Sequence, residues 1–417
     1  MRRLTALAAA TTAAALSLSL LTTTGAQAAP APMQDLRGSV VKQDLFGMHV
    51  FNLEDGVWPT VPVGSIRLWD NETTWSAIEP AKGQFNWGKL DTAVTTAEAN
   101  GVSDILMVLA GTPAWATSDP KSGGLAGVLP GAAGAPANLK DWDDWVTAVA
   151  TRYKGRITAY QPWNEANLST FFTGTPQVMA QMTKRAYDII KSIDPSATVV
   201  APSTGTRLGG PFKKFYPAFL RELKALGWPV DAWAVHTYPA SLGTPIDRAA
   251  LARNFFAVLA AEGAPEKPIW DTENNFGLAG PGPSNPDQDI TDARAANWTA
   301  RTYLDALRLG ISRVYWYAWG PENDLVGIQM YPGTPAAKAY QTLQNWIVGS
   351  TFVRCSNRND VVCVFTRNGV RSKIVYAEQG KARFATKGFR EVCKLDGACS
   401  PVTKKTIRVA GPVLLKK

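Results

Sequence analysis

The sequence predicts an α/β chain, a parallel (β/α)8 barrel of the TIM type followed by a small disulfide-bonded β-module. Three observations predict it. From Asp44 to Val348, short apolar or β-branched runs alternate eight times with amphipathic helical stretches, the pattern of parallel strands covered by helices. Two glutamates, Glu165 and Glu273, each close such a run and lie 108 positions apart. That gap holds about three strand-helix units of roughly 30–35 residues, which puts the pair on the fourth and seventh strands. All four cysteines, Cys355, Cys363, Cys393 and Cys399, fall in the last 65 residues, where the helical period has stopped.

Residues 1–28 read as a signal peptide. Arg2 and Arg3 precede an Ala/Leu/Thr-rich stretch, and Ala26-Gln27-Ala28 offers the small-x-small pattern of a cleavage site. The apolar part is too short and too broken by Thr and Ser to anchor in a bilayer, so the expectation is a secreted, extracellular protein without membrane contact after cleavage. The barrel is assigned to 36–349, with strands ending near His49, Leu68, Leu109, Trp163, Ala201, Val235, Trp270 and Tyr317. Helical patterns between them include Lys89 to Asn100, Leu139 to Arg152, Gln177 to Ile193, Phe215 to Leu226, Ala249 to Glu262 and Ala293 to Leu309. A doubly wound open sheet is the competing arrangement. It needs about two fewer strands and usually a Gly-rich phosphate turn after the first, which is absent here. Long Gly/Pro/Ala loops at Ser118 to Asn138 and Gly277 to Ile290 follow the third and seventh strands and are candidates to cover a cleft.

The module is assigned to 350–417, with strands expected at Val361 to Phe365, Lys373 to Tyr376 and Thr406 to Val409. In an exported chain its four cysteines read as two disulfides, and the local pairs Cys355–Cys363 and Cys393–Cys399 lead the three possible connectivities. Their steps do not match the CxxC spacing of zinc sites. Confinement of the cysteines to the tail predicts that reduction loosens the module and leaves the barrel active. Charge is divided unevenly. The segment from Ser350 to Lys417 carries fifteen Lys/Arg against four Asp/Glu, a balance of +11, which with +2 in the leader leaves −4 for the body out of the total of +9. A basic tail of this kind suits an anionic cell-wall polymer or acidic polysaccharide. Nucleic acid is excluded as a partner by the lack of a binding motif and by the compartment.

Glu165 stands in Trp163-Asn164-Glu165-Ala166-Asn167 and Glu273 in Trp270-Asp271-Thr272-Glu273-Asn274. Hydrolysis of an acetal needs one carboxyl group to protonate the leaving oxygen and a second on the other side of the anomeric carbon. Trp163 offers an apolar wall beside which Glu165 can stay protonated, and Asn164 an amide to hydrogen-bond a sugar hydroxyl. His49 and His236 are the two histidines, both at strand ends, and lack acidic partners at ligand spacing; no metal and no cofactor is expected. Trp115, after the third strand, is a candidate sugar-stacking residue.

Trp163-Asn164-Glu165-Ala166-Asn167, Arg67 in Ser65-Ile66-Arg67-Leu68-Trp69-Asp70, the run Trp75 to Gly83, His236-Thr237-Tyr238-Pro239 and Glu273, in that order over Phe46 to Trp319, resemble the clan A retaining glycoside hydrolases. The closest likeness is to family 39 and its actinobacterial relatives. The resemblance implies a carbohydrate substrate and double displacement, with Glu165 as acid/base and Glu273 as nucleophile. It also implies that Asn164 holds the 2-hydroxyl, Arg67 and Tyr238 approach Glu273, Trp319 floors the sugar site and His49 contacts hydroxyls. Ala166 and Asn274 depart from the family pattern, which commonly has Pro and Trp there. The expectation is thus a secreted retaining O-glycoside hydrolase cleaving β-linked bonds, endo-action favoured over exo. The rivals are a catalytically silent carbohydrate- or wall-binding barrel and a structural wall protein.

Overall fold

The computed structural model describes residues 34–124, 129–321 and 323–417; the expected signal peptide lies outside the described residues. Among these, no helix is long and apolar enough to cross a membrane. Eight parallel strands form one sheet: β1 (Phe46–Val50), β2 (Ser65–Leu68), β3 (Ile105–Val108), β4 (Ala159–Gln161), β5 (Thr198–Val199), β6 (Trp233–His236), β7 (Ile269–Asn274) and β8 (Ile311–Trp319). Neighbours in sequence are neighbours in the sheet, β8 returns to pair with β1, and a parallel bridge between Val200 and Ala232 closes β5 on β6. The ring is therefore the predicted barrel. Almost every strand residue is buried, as parallel strands covered by helices must be. Gly47 makes room inside: a Cβ there would stand 2.6 Å from the Tyr315 ring and 2.8 Å from Ser65 Oγ.

Besides a single helical turn at Trp75–Ile78, seven longer helices follow strands β2 to β8 among the described residues: α1 (Gly88–Ala99), α2 (Leu139–Arg152), α3 (Pro176–Ile193), α4 (Gly209–Ala225), α5 (Pro245–Ala261), α6 (Ala293–Leu309) and α7 (Pro335–Ile347). After β1 stands only a short 3₁₀ turn, Leu53–Asp55. Three helices start on a Thr-Pro pair, Thr175-Pro176, Thr244-Pro245 and Thr334-Pro335. There Thr stands at the cap, and Pro takes the first helical position, where its missing N–H costs nothing. Helix α4 begins six residues before the predicted Phe215. Gly209-Gly210-Pro211 reads as a loop, yet a first turn tolerates proline because its N–H groups have no intrahelical acceptor.

The tail forms a six-stranded sheet in the order β14-β13-β16-β11-β10-β9, with a two-stranded ribbon of β12 and β15 beside it. The strands are β9 (Thr351–Cys355), β10 (Asp360–Arg367), β11 (Val370–Ala377), β12 (Ala382–Ala385), β13 (Glu391–Cys393), β14 (Cys399–Pro401), β15 (Thr406–Val409) and β16 (Val413–Lys416). Disulfides Cys355–Cys363 and Cys393–Cys399 join directly opposed residues of β9/β10 and β13/β14, with Cα atoms 4.0 Å apart in each.

This module is welded to the barrel. Arg308 of α6 makes a fork of hydrogen bonds to Glu378 at 2.8 and 3.0 Å, Arg301 donates to the Glu378 carbonyl at 3.1 Å, and Tyr376 donates to Asp305 at 2.8 Å. Phe352, Phe365, Ile374, Tyr376 and Leu414 belong to the same buried cluster as Tyr303 and Leu304 of α6. The expectation that reduction loosens the tail alone therefore changes. Each bridge closes a short loop worth about 2–3 kcal/mol in the chain-entropy model. With a continuous core, reductant is expected to lower the Tm of one shared unfolding transition, read by scanning calorimetry; two separated transitions would show an independent module.

Candidate active site

His49, Arg67, Glu165, His236, Glu273 and Trp319 all fall at or just past the carboxyl ends of barrel strands, the face on which barrel enzymes build their sites. Glu165 lies four residues beyond β4 in a loop clamped to the segment after β5. Its N–H donates to Ser203 Oγ at 2.9 Å, Ala166 N–H donates to the Ser203 carbonyl at 3.1 Å, and Asn167 exchanges two hydrogen bonds with the Gly205 backbone. Glu165 has φ +40, a left-handed conformation that costs a non-glycine residue of order 1 kcal/mol or more and persists only when its surroundings hold it. Gly205 is fitted to it: a Cβ there would stand 2.8 Å from Glu165 Oε1.

The two glutamates converge. Carboxylate oxygens of Glu165 and Glu273 lie within 4.8 Å of each other, with His236 Nδ1 between them at 3.1 Å from Glu165 Oε1 and 3.3 Å from Glu273 Oε2. Buried Arg67 lies against Glu273: its Nη1 donates to Oε1 at 3.0 Å, Nη2 donates to Asn164 Oδ1 at 2.7 Å, and Nε and Nη2 donate to Gln161 Oε1 at 3.1 and 2.7 Å. Because Arg67 and Ser203 occupy the amide oxygen of Asn164, its NH₂ is left to donate outward. A donor directed at a sugar hydroxyl is what the resemblance requires of that residue.

Burial pushes both carboxyl groups up, each to about 7, Glu165 against the opposing pull of Arg207 and Arg67, and Glu273 against that of His236 and Arg67. Two carboxylates so close do not ionise together cheaply, so the pair shares one proton. It resides on Glu165, because the guanidinium in contact with Glu273 stabilises the charge there. His236 is pushed down to about 4, burial outweighing Glu273, and is neutral. Its Nε2 has no partner, and an unpaired acceptor costs less than an unpaired donor, which puts the imidazole proton on Nδ1, facing the carboxylates. His49 Nε2 donates to the Thr272 carbonyl at 3.1 Å, and burial drives its pKa well below the usual range.

The sign of the pH dependence follows. Below the lower pKa of the pair Glu273 takes a proton and loses its nucleophilicity; above the upper one Glu165 loses the proton it must deliver. Thus kcat/KM is expected to trace a bell centred within about one unit of pH 7, to be checked on an oligosaccharide or alkyl glycoside, whose leaving group needs the proton. Activity that rises monotonically to pH 10 on that substrate would show that no protonated carboxyl group is needed and would remove Glu165 as the acid.

Other expected residues find varied places. The Tyr238 side chain lies near Glu273, its own titration raised by burial and by that charge, but none of the described hydrogen bonds joins the two. Trp319 packs in the main buried cluster. The aromatic ring facing the acidic groups is Tyr317, 5.0 Å from the His49 ring and beside Asp70 and Glu273. Trp115 packs edge-on against Trp75 at 6.0 Å and spends its indole N–H on the Glu79 carbonyl at 2.9 Å. Asn274 is buried and donates to the Tyr315 carbonyl at 3.2 Å, a wall contact. Sequence reading missed Gln161, Ser203, Asp70, Tyr317 and Arg207. Asp70 keeps accessible surface beside His49, and desolvation raises it to about 6 against the pull of Arg67. Arg207 donates to the Gly280 carbonyl at 2.7 Å, tying the 277–290 loop to the segment beside Glu165.

Two groups, His49/Asp70/Glu273 and Glu165/His236/Glu273, hold ligand-type atoms within 4.8 Å of one another. Arg67, 3.0 Å from Glu273, already supplies a cation to the carboxylate these groups share, and the donor set reads as an acid/base pair.

Residues 65–233 match the model of glycosyl hydrolase family 10, a stretch that contains Arg67, Asn164 and Glu165 and ends before Glu273. The endo-1,4-beta-xylanase A of Fusarium oxysporum is 26% identical over 192 residues, 44% of this chain and 54% of that protein; the chain thus spans about half the length of this relative. Among solved structures, a family 39 glycoside hydrolase from Bacteroides cellulosilyticus superposes with TM-score 0.68 at 17% identity, covering 92% of this chain and 81% of the other. A family 39 beta-xylosidase from Caulobacter crescentus gives 0.64 at 17%, covering 92% and 98%. A family 30 endoxylanase from Clostridium papyrosolvens gives 0.57 at 15%, covering 92% and 99%. At these identities the structures speak for the fold. With the family 10 match across the acid/base strand and family 39 structures among its neighbours in fold, the chain resembles the clan A glycoside hydrolases.

Proposed function

We propose that this chain is a secreted retaining glycoside hydrolase that cleaves β-linked bonds within a xylan-type polysaccharide by double displacement. The observation that carries the reading is the short separation of the two carboxylates, with Arg67 on one of them. Retaining enzymes hold their carboxyl groups about 5–5.5 Å apart, whereas inverting ones need about 6.5–9.5 Å to admit a water; nearest carboxylate oxygens within 4.8 Å of each other support the first class. Glu273, kept ionised, attacks the anomeric carbon as Glu165 protonates the departing oxygen. Glu165, now a carboxylate, then takes a proton from the water that opens the glycosyl-enzyme. The xylan assignment is supported by the names of the relatives, an endoxylanase and a beta-xylosidase among them. Export is supported by the N-terminal sequence and by the disulfides of the module.

The test is a reducing-sugar screen of xylan, arabinoxylan, β-glucan, mannan and arabinogalactan, with product sizes and the anomeric proton followed by NMR. Internal cuts in xylan that release the β-anomer first are the expected result. Release of the α-anomer first would overturn retention, and action confined to another polymer would overturn the substrate.

A further inference from the structure

The ribbon of β12 and β15 gathers cations that have no acidic partner among the described residues. Its register sets Arg383 directly opposite Arg408, between the pairs Ala382/Val409 and Phe384/Ile407. Ala382, Phe384, Ile407 and Val409 turn inward onto a small apolar cluster with Val375, Val413 and Leu415. By strand alternation Arg383 and Arg408 therefore stand together on the outer face. Lys381, Lys387, Lys404 and Lys405 flank them, and all six are exposed. The Thr386 N–H and hydroxyl donate to the carbonyls of Lys405 and Lys404, which brings Lys387 to the same end of the ribbon as those two lysines.

Segments 381–387 and 404–408 contain no Asp or Glu, and among the described residues none of the six cations takes part in a salt bridge. On the barrel, by contrast, Arg152, Arg156, Arg185 and Arg221 each pair with an acidic residue. Like charges directly opposite in an antiparallel pair are destabilising, so the ribbon retains an arrangement that folding alone would disfavour. From Lys404 to Arg408 the row runs about 14 Å at the rise of an extended strand, which suits a linear chain bearing repeated negative charges better than one small anion.

We propose that the outer face of this ribbon is a binding site for an anionic polysaccharide, one carrying carboxylates or phosphodiesters, and that it holds the enzyme on such a polymer while the barrel acts. Each exposed contact is weak and screened over about 8 Å at physiological salt, so binding depends on several cations acting on one chain. The ribbon belongs to the module and not to the barrel face that holds Glu165 and Glu273. Failure of this proposal and failure of the glycosidase reading are therefore separable.

The experiment is affinity electrophoresis and pelleting of the full-length protein with polygalacturonate, with a glycerol-phosphate wall polymer, and with neutral arabinoxylan, at about 50 and about 300 mM NaCl. The triple variant Arg383→Gln, Lys405→Gln, Arg408→Gln is compared alongside. Wild type is expected to bind at least one polyanion at low salt, to lose at least tenfold in affinity at the higher salt, and to lose at least tenfold in the variant; which polyanion binds identifies the source of the charge. The Tm of the variant is expected to equal or exceed that of wild type, since an opposed like-charge pair has been removed, so lost binding is not lost folding. Equal retention of wild type and variant, no binding of wild type to either polyanion at low salt, or equal binding to neutral arabinoxylan would each overturn the proposal.

Discussion

Replacing Glu273 by alanine is expected to lower kcat by about 10⁵-fold on every β-glycoside the wild type cleaves, the scale of losing a nucleophile while binding and electrostatics persist. The carboxylate has no neighbour that can take over. Glu165 is turned to the leaving oxygen, and Asp70, although its ligand atoms lie within 4.8 Å of Glu273, belongs to the His49/Tyr317 side of the cleft. Arg67 sharpens the expectation. With Glu273 gone its Nη1 keeps only the long contact to His49 at 3.4 Å, so a buried guanidinium loses its counter-charge, at a cost to stability of a few kcal/mol. Glu273→Gln retains a side-chain oxygen for Arg67 and should be as inactive as the alanine variant but closer to wild type in Tm. A 2-fluoro glycoside with a good leaving group should label wild type at Glu273, identified by peptide mass spectrometry; label on Glu165 or Asp70 would reassign the nucleophile.

The barrel was legible because parallel strands covered by helices read as uninterrupted apolar runs. Even β5, two residues long, showed as Thr198-Val199-Val200-Ala201. An apolar face marked most helices, while the Thr244-Pro245 start of α5 was read four residues late and Gly209-Gly210-Pro211 hid the first turn of α4. The tail was read less fully. Strands β9, β12, β13, β14 and β16 run three to five residues, and half-exposed strands bearing Arg and Lys carry little apolar signal. Their register also cannot be inferred locally, so the opposition of Arg383 and Arg408 was invisible.

At the site the chemistry-bearing ends of the strands were legible and their supports were not. Glu165, Glu273 and Arg67 announce themselves by position at strand ends. Ser203, Gly205 and Arg207 act on Glu165 from 38 to 42 residues away, and Gln161 steadies Arg67 across 94. None carries a spacing that marks it. Strict alternation would set Tyr317 and Trp319 on one face of β8, so the sequence could not decide which ring meets the acidic groups; in the structure the two fall in different buried clusters. The fold decides it, by placing the Tyr317 ring against His49.

Replacing Glu165 by alanine is expected to separate substrates by their leaving groups. A xyloside with an alkyl or sugar leaving group needs the proton and should lose about 10³-fold in kcat/KM, near the middle of the range for general acid catalysis. A dinitrophenyl xyloside departs without help, and its kcat/KM should fall less than about tenfold. Its kcat should fall further, because water attacking the glycosyl-enzyme then lacks its general base and the second step becomes limiting. Azide needs no base. In the cavity left by the side chain, walled by Gly205 and the His236 imidazole, it should restore turnover and yield a β-glycosyl azide, the configuration that two displacements give. The falling limb of the pH profile should vanish in the same variant, since the group that titrates there is gone, while the rising limb set by Glu273, which titrates while Glu165 is still neutral, remains. Equal losses on both substrates, no product with azide and an unchanged falling limb would together show that the proton comes from another residue.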